Sequence, residues 1–513
     1  MINRTAWRRQ LYREGKRLLG PERMARLRTR SFALGRRLAR QGARGRDALR
    51  ARGRRHWLSG VEAEWVDGSG VLLTGRLMST GGALEAASLT LDGGAPLRIG
   101  MDTDTGAGAA LARFETRDDR RRRDGIARGF AVLLDVPARE VRGLRKSGAA
   151  RTGTGYRLRL TNGSGTVTAA GRLPDPAAGG HDALARVRAI LERVPPHRDG
   201  RRALFDRAFG PAIERLWDQH RAGTAPVDGD CVRYGEHPPG RGYATSVIVP
   251  VYGRCDFIEH QMAHFAFDPD LADVDLLYVV DDPRLHVRTR ALAERLSRSV
   301  DLPFSVLYLT RNSGFAAANN AGARHARGAD LLLLNSDVLP GERGWLSTLY
   351  ASVDDRLAGT LLGARLLYED GTLQHDGMRF EPAGSHEGQW LNRHPGKGLP
   401  ADLFPSRREA QPREAVTGAC LLLARRDWDA LGGLDEAYLL GDFEDSDLCL
   451  RARAAGLDIR ICTDVSLFHL ERQSQGLVAG ARWKDLLTYY NCWYQSRRWH
   501  EQLASLTGPS ARG

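Results

Sequence analysis

The sequence predicts an α/β domain with a mainly parallel sheet, preceded by a small antiparallel β-sandwich and a basic helical leader. Three observations predict this order: an arginine-rich N-terminal segment, a stretch of short alternating strands with Asn-Gly and Asp-Gly turns, and uniformly apolar strands that alternate with amphipathic helices. A chain of 513 residues is long enough for about three domains. Its content of 42% hydrophobic and 27% charged residues is typical of a globular protein and not of a disordered one.

The positive charge lies almost entirely in the leader, for which we predict residues 1–57. Residues 1–55 contain 19 Lys and Arg against three acidic residues, a balance of +16, so the rest of the chain carries −2 of the total of +14. Apolar residues recur among these arginines at loosely helical spacing, a pattern that suits an anionic membrane surface. A solvated arm also fits. Binding to nucleic acid is disfavoured, because the leader has no array of stacking aromatic residues and no base-reading motif.

Membrane-spanning segments, secretion and disulfides are not indicated by the sequence. No run approaches the roughly 20 apolar residues of a membrane helix, and the basic N-terminus lacks the apolar core of a secretory signal. The six cysteines stand singly, without a C-x-x-C pair, which is typical of reduced thiols. We therefore expect a cytoplasmic protein, and peripheral attachment to the inner face of the cell membrane is a further hypothesis.

From residue 58 to residue 479 the sequence changes from the two-residue alternation of strands to helical spacing, and then to apolar strands that alternate with helices. Residues 58–175 contain alternating runs that predict the β-sandwich, for example 71–78, 87–91, 130–136 and 156–160. Residues 176–240 have helical spacing and are predicted to form a connector. Residues 241–479 are predicted to form the α/β domain, with apolar strands at 246–251, 275–280, 304–309 and 331–335. Residues 480–513 are predicted to form a helical tail that packs on this domain, on a second copy of the chain or on a membrane.

Polar residues follow all four apolar strands. Ligands of parallel sheets bind at the carboxyl ends of the strands, so these residues are the first candidates for a site. A single acidic residue after a strand is often only a turn former or helix cap. Several such residues at one edge of a sheet favour a functional site. They are Tyr252 after the first strand, Asp281 and Asp282 after the second, Asn312 and Gly314 after the third, and Asn335, Ser336 and Asp337 after the fourth.

Eight motifs lie in order between residues 246 and 474. They are 246–252 (SVIVPVY), Asp281-Asp282, 311–322 (RNSGFAAANNAG), 334–338 (LNSDV), 416–420 (VTGAC), 432–436 (GGLDE), 443–451 (FEDSDLCLR) and 468–471 (FHLE). Together they resemble glycosyltransferase family 2, whose members have the GT-A nucleotide-sugar fold. A further segment, 374–378 (QHDGM), resembles bacterial rhamnosyl and galactofuranosyl transferases that build surface polysaccharides.

The resemblance implies an inverting, metal-dependent transfer of a sugar from a nucleotide-diphospho-sugar to a glycan or lipid-linked acceptor. It implies that Asp337 and His469 hold Mg²⁺ or Mn²⁺, with Asn335 in place of the first aspartate of the family's Asp-x-Asp motif. It favours Asp445 as the general base and Glu444 as a residue that binds the acceptor, and it leaves the opposite assignment open. The other implied site residues are Pro250, Tyr252, Asp281, Asp282, Asn312, Gly314, Asn320, Asn335 and Ser336 for the nucleotide-sugar, and Trp390, Thr417 and Gly418 for the acceptor.

Two other functions remain open at this point. The altered Asp-x-Asp motif would suit a catalytically inactive sugar-binding protein, and the arginine-rich leader would suit a nucleic-acid binder. A histidine after an apolar run and a lone tryptophan are also common structural residues, so the roles of His469 and Trp390 have a structural alternative.

Overall fold

The computed structural model describes most of the chain from residue 56 onward. Its described residues fall into two compact units, one within residues 1–63, 73–130 and 153–173, and one within residues 64–72, 131–152 and 174–513. The basic leader therefore lies outside the described residues, except that its last two residues begin the first strand. The described ranges are 56–66, 70–79, 84–92, 94–99, 112–115, 126–136, 154–162, 165–173, 183–195, 200–235, 242–354, 356–470 and 481–506.

Eight strands form two four-stranded sheets, with the orders β1-β2-β6-β5 and β4-β3-β7-β8. All the strands predicted here are present, and the pairs of the second sheet are antiparallel, as the turn signals predicted. The strands are β1 (His56–Trp65), β2 (Gly70–Ser79), β3 (Leu84–Leu91), β4 (Leu97–Ile99), β5 (Ala112–Glu115), β6 (Ile126–Asp135), β7 (Thr154–Asn162) and β8 (Gly165–Leu173).

The second unit contains the connector, the α/β domain and the C-terminal helices. Its helices are α1 (Ala183–Arg193), α2 (Arg201–Leu204), a π-helical turn (Phe205–Phe209), α3 (Gly210–Gly223), α4 (Phe257–Phe265), α5 (His286–Ser299), α6 (Phe315–His325), α7 (Trp345–Ala351), α8 (Arg425–Leu431), α9 (Glu444–Ala454), α10 (Ala481–Arg498) and α11 (His500–Leu506). Short 3₁₀ turns are Pro269–Leu271, Pro283–Leu285, Gly384–His386 and Ala401–Leu403.

The strands of this unit form one eleven-stranded sheet and a separate hairpin of β17 and β18. They are β9 (Gly229–Tyr234), β10 (Tyr243–Val251), β11 (Asp275–Val280), β12 (Phe304–Leu309), β13 (Gly328–Leu334), β14 (Val338–Pro340), β15 (Thr360–Leu367), β16 (Leu373–His375), β17 (Arg379–Ala383), β18 (Gln389–Arg393), β19 (Gln411–Pro412), β20 (Cys420–Ala424) and β21 (Asp458–His469).

The centre of the large sheet is parallel, in the order β13-β10-β11-β12, and this confirms the predicted α/β architecture. Alternate side chains of β10 enter two different hydrophobic cores: Val247 and Val249 pack in one and Ile248 packs in the other. Both faces are therefore covered, which explains the uniformly apolar strands. Antiparallel strands extend the sheet on both sides, through β20 next to β13 and β9 next to β12. The segment predicted as a helical connector thus also supplies an edge strand.

The C-terminal helix α10 packs on the α/β domain. Tyr490 and Trp493 are each only 1% exposed, and the Trp493 indole N–H donates a hydrogen bond to Asp206 at 2.7 Å. Helix α10 thus packs on the connector through Trp493, and on the α/β domain where Ser496 and Cys492 bind the backbone of Trp390 in β18. The second contact is the first of the three environments considered for this tail. Among the described residues, no helix is both long and apolar enough to cross a lipid bilayer. All six cysteines are free thiols and five are buried, as their single positions predicted.

Candidate functional site

The parallel register brings the predicted polar residues to one edge of the sheet. Val251 at the end of β10 pairs with Val280 at the end of β11, and β13 runs parallel to β10 on its other side. Tyr252, Asp281 and Asn335 therefore follow strands that end at the same edge. This is the edge at which ligands of parallel sheets bind.

Asn335, Asp337 and His469 meet although 134 residues separate the first from the last. Strand β14 pairs antiparallel with β21 and sets Val338 opposite His469, so the histidine lies beside the Asn335–Asp337 turn. The Nε2 atom of His469 is 3.3 Å from Asp337 Oδ1 and 3.4 Å from Asn335 Nδ2. Asn335 Oδ1 is buried and has no hydrogen-bond partner among the described residues.

Gln374, which carried no assigned role in the sequence, fixes the orientation of His469. The Gln374 amide donates to the His469 carbonyl oxygen at 3.1 Å, and its Oε1 atom lies 2.6 Å from His469 Nδ1. Because an amide oxygen only accepts hydrogen bonds, Nδ1 carries a proton, and Nε2 is the nitrogen that faces Asp337. Two acceptors at this distance need a proton or a cation between them.

These groups fit a divalent cation with an open coordination shell. A carboxylate and an imidazole nitrogen converge, the Asn335 amide lies beside that nitrogen through its Nδ2 atom, and a hydrogen bond to the far nitrogen is the usual support of a ligating histidine. Within the part of the chain that the structure describes, no three His, Cys, Asp or Glu side chains form a complete metal cluster. The remaining ligands would therefore come from the amide of Asn335, from substrate oxygens or from water.

Asp281 connects two of the loops at this edge. Its carboxylate accepts hydrogen bonds from the backbone N–H groups of Ser313 at 2.7 Å and Gly314 at 2.8 Å, and it is 3% exposed. Burial raises the pKa of Asp281 to about 7, although these two hydrogen bonds act in the opposite direction. Gly314 has φ of +87°, and a Cβ atom there would come within 2.7 Å of Leu440 Cα, so only glycine fits this turn.

Asp282 has a different environment from Asp281. Burial acts to raise the pKa of Asp282, but hydrogen bonds and the positive charge of Arg284 outweigh it, and the net pKa is lowered. Arg284 binds both carboxylate oxygens, at 2.8 and 2.7 Å, and is itself 75% exposed. The proline and arginine after the Asp281–Asp282 pair thus form a short 3₁₀ turn that Asp282 caps.

Several residues predicted for the nucleotide pocket also have structural partners. Asn320 uses its amide on Leu434 and Glu436 and so holds the 432–436 turn. Asn312 is exposed at the turn after β12. Pro250 and Tyr252, at the end of β10, are half-buried, as is Ser336.

The two carboxylates of the 443–451 motif begin helix α9. Asp445 accepts hydrogen bonds from the backbone N–H of Gly418 at 2.9 Å and of Ser446 at 2.7 Å, so the Thr417-Gly418 segment lies against it. Burial raises the pKa of Asp445 above its usual value. Burial, followed by the neighbouring charge of Asp445, raises the pKa of Glu444 well above its usual value. One oxygen of Glu444 is buried with no hydrogen-bond partner among the described residues.

Trp390, the third residue predicted to contact the acceptor, lies in the hydrophobic core. It is 6% exposed, and its backbone N–H and carbonyl oxygen bind Ser496 and Cys492 of α10. Its indole therefore has little surface left for a sugar ring. The surroundings of Trp390 therefore fit a structural core residue better than a residue that contacts the acceptor.

Arg254 is a site candidate that sequence reasoning missed. It follows β10 in the Tyr252–Arg254 loop and binds Asp256 at 2.5 Å. The hydrogen bond to Asp256 is the main cause of its raised pKa, and the negative charge of Asp337 contributes. A cation three residues after the end of the first apolar strand was the available signal.

Residues 246–406 match the family model described as glycosyl transferase family 2. This stretch of the chain is therefore similar to family 2 glycosyltransferases. The match agrees with the resemblance seen in the motifs and includes Asp281, Asn335, Asp337 and Gln374. Glu444, Asp445 and His469 follow the matched residues in the chain and adjoin the same sheet.

Two proteins are similar in sequence to parts of this chain. The uncharacterized protein y4gI of Sinorhizobium fredii (strain NBRC 101917 / NGR234) is 35% identical over 201 residues, which are 39% of this chain and 22% of that protein. The O-antigen biosynthesis protein RfbC of Myxococcus xanthus is 26% identical over 384 residues, which are 73% of this chain and 28% of that protein. The chain thus spans roughly a quarter of the length of these relatives.

Solved structures of glycosyltransferases are also similar to this chain, at low sequence identity. GalNAc-T7 with UDP, GalNAc and Mn²⁺ is 14% identical, with a TM-score of 0.38, over 51% of this chain and 50% of that one. The mannosyltransferase PcManGT of Pyrobaculum calidifontis, in complex with GDP-Man and Mn²⁺, is 16% identical, with a TM-score of 0.34, over 64% and 88%.

Proposed function

We propose that this chain is an inverting, divalent-metal-dependent glycosyltransferase that transfers a sugar from a nucleotide-diphospho-sugar to a glycan or lipid-linked glycan in cell-surface polysaccharide synthesis. The family 2 domain supports the reaction class. The observation that carries the proposal is the arrangement of His469, whose Nε2 atom faces Asp337 at 3.3 Å at the carboxyl edge of the sheet. The name of the relative RfbC supports the polysaccharide pathway.

On the donor side, Asp337 and His469 would hold the cation, and Gln374 would keep the imidazole in the correct tautomer. Bound Mg²⁺ or Mn²⁺ would supply positive charge for the diphosphate leaving group. Arg254 adds a fixed positive charge in the loop after β10. Asp281 accepts hydrogen bonds from Ser313 and Gly314 and so holds the loop after β12. It would therefore have two roles, one in binding the nucleobase and one in holding this loop.

On the acceptor side, Asp445 would accept the proton of the attacking hydroxyl group. The hydroxyl oxygen forms the bond to the anomeric carbon while the bond from that carbon to the diphosphate breaks. A raised pKa makes Asp445 a better proton acceptor than a free aspartate, and the N–H groups of Gly418 and Ser446 fix its orientation. A single displacement of this kind inverts the anomeric centre.

The test is donor binding followed by transfer. The full chain is screened with a panel of nucleotide sugars by thermal shift, with and without Mn²⁺, because a ligand of the native state raises its stability. A donor that stabilises only with Mn²⁺ is then used for transfer, and the anomeric configuration of the product is measured by NMR. Retention of configuration, or equal stabilisation of an Asp337→Ala variant, would contradict the proposal. Binding without transfer or donor hydrolysis would indicate an inactive sugar-binding protein.

A further inference from the structure

The turn that precedes helix α9 has an unusual backbone. Leu440, Asp442 and Phe443 have φ of +61°, +79° and +77°, a region that residues with side chains rarely adopt. Such conformations persist where the surrounding structure holds them, and they are frequent at functional sites. This strained turn, residues 440–443, leads directly into Glu444 and Asp445.

A single side chain from helix α10 holds the strained turn. The amide nitrogen of Asn491 donates to the carbonyl oxygens of Leu439, Gly441 and Asp442, at 3.1, 2.7 and 3.2 Å. Its amide oxygen accepts from the N–H of Leu439 at 3.0 Å. Asn491 is completely buried, so all of its hydrogen-bonding capacity is directed at this one segment.

Neighbouring residues of α10 extend the same support. One turn earlier, Thr488 donates to the Asp442 carboxylate at 2.7 Å. One turn later, on the same face, Gln495 accepts from Ser446, the residue after Asp445, at 2.5 Å. Helix α10 therefore holds both the strained turn and the first turn of α9.

The strained turn also contacts the donor side of the site. The carbonyl oxygen of Leu440 accepts the N–H of Phe315 at 2.8 Å, at the start of α6. The residue before it, Gly314, donates to Asp281. A continuous set of contacts thus leads from Asp281 through the strained turn to Asp445.

We propose that Asn491 is a positioning residue that sets the place of Asp445 and Glu444 relative to the bound donor. This inference rests on the proposed glycosyl transfer. Asn491 touches neither the Asn335, Asp337 and His469 cluster nor any group that would react, so its removal affects geometry and not donor capture. A displacement of about 1 Å at a reacting group can cost about a hundredfold in rate.

The test compares Asn491→Ala with Gln389→Ala, a matched control. Gln389 is also a buried amide of this unit, 1% exposed, but neither of its polar atoms has a partner among the described residues. Asn491→Ala is expected to lower kcat about a hundredfold with the KM of the donor changed less than about twofold, whereas Gln389→Ala keeps the wild-type kcat. Thr488→Val, at a half-buried position, should lower kcat by a smaller factor, and it serves if Asn491→Ala does not fold.

Hydrogen–deuterium exchange of the full chain separates this inference from the proposed function. Peptides that cover residues 439–447 should exchange faster in Asn491→Ala and in Thr488→Val, but not in Gln389→Ala. Unchanged exchange in that segment, or a kcat equal to that of the wild type, would overturn the role of Asn491. A wild-type chain without any transfer would instead contradict the proposed function, and exchange would still decide whether Asn491 holds the turn.

Discussion

The Nδ1 atom of His469 lies 2.6 Å from Gln374 Oε1, and the amide nitrogen of the same glutamine binds the His469 backbone carbonyl. The two bonds leave only one orientation for the imidazole and place a proton on Nδ1. The Nε2 atom consequently faces Asp337, and a cation that binds between the two atoms can take the place of a proton. A cation site prepared in this way depends on a residue that would not itself touch the cation.

Replacing Gln374 with leucine should weaken cation binding without removing a ligand. Outer-shell partners of this kind typically contribute tenfold to a hundredfold in metal affinity, so we expect Mn²⁺ affinity to fall about tenfold or more. Titration of Mn²⁺, followed by electron paramagnetic resonance, measures this directly. Gln389→Leu, a buried amide in hairpin strand β18, is the control and should bind Mn²⁺ like the wild type. Equal affinity in both variants would rule out the orienting role of Gln374.

Changing Asn335 to aspartate should strengthen cation binding. Asn335 Oδ1 is buried and unpartnered among the described residues, and a carboxylate there would place a second charged oxygen near Asp337. Affinity for hard cations rises with ligand charge, so we expect Mn²⁺ to bind about tenfold more tightly. The same change adds like-charge repulsion without the cation, so Tm should fall in EDTA and rise with Mn²⁺. A variant whose Tm is insensitive to Mn²⁺ would argue against cation binding at this turn.

Asp445 and Glu444 should respond differently to neutralisation. Asp445→Asn removes the proposed base and should lower kcat about a thousandfold, within the usual range for general-base catalysis. Glu444→Gln should mainly raise the KM of the acceptor, because we propose that Glu444 binds the acceptor. Steady-state kinetics with donor and acceptor varied in turn distinguishes the two effects. If Glu444→Gln had the larger loss in kcat, the two roles would have to be exchanged.

Asp281 should make stability depend on pH. Burial raises its pKa from 3.8 to about 7, so the folded state binds a proton that the unfolded state releases in this range. The stability that this proton contributes is fully present below about pH 4 and is lost as pH rises to about 7, with an upper limit of about 4 kcal/mol. The Tm of the wild type minus that of Asp281→Asn should therefore fall between pH 5 and pH 8, because only the wild type loses this contribution.

Asp282 is the control for this pH profile. Its pKa is lowered, since Arg284 outweighs burial, and a lowered carboxyl pKa gives stability that is lost only as pH falls below the unfolded value. The difference in Tm between the wild type and Asp282→Asn should stay constant from pH 5 to pH 8. Parallel profiles for Asp281→Asn and Asp282→Asn would show that Asp281 keeps an ordinary pKa.

The sequence predicted the sheet and the edge at which the site lies because both depend on local patterns. Uniformly apolar strands indicated a parallel sheet, and the residues after them necessarily share an edge. The partners across that edge depend on long-range packing instead. Asn335 and His469 lie 134 positions apart in the chain, and no local sequence pattern indicates that they meet. The contact of Gln374 with His469 has no local sequence signal either.

The same distinction explains the residues whose environment differs from the expectation. Asn320 belongs to one of the eight motifs, but its side-chain amide hydrogen-bonds the 432–436 turn. Trp390 is buried by packing against α10. The positive φ angles of Leu440, Asp442 and Phe443 have no sequence signal, because two of these three residues are large and apolar. Asn491 was hidden for the opposite reason: one asparagine in an aromatic helix looks like a tolerated polar residue until its four hydrogen bonds are seen.

The basic leader should determine attachment to anionic membranes. Its charge of +16 would be attracted to an anionic lipid surface, with roughly 1 kcal/mol for each Lys or Arg near that surface. Strand β1 begins at His56, so a deletion should end at residue 55, two residues before the predicted boundary, to leave the strand intact. We expect the full chain to float with vesicles that contain phosphatidylglycerol, and the shortened chain to remain at the bottom of the gradient.

Two controls make this flotation result specific. Vesicles of phosphatidylcholine alone should bind neither form, and high salt should release the full chain because it screens surface charge. Transfer to a soluble acceptor should be the same for both forms, since the site lies wholly within the second unit. Equal flotation of the two forms would show that another surface carries attachment, and loss of soluble transfer in the shortened chain would give the leader a role in catalysis or folding instead.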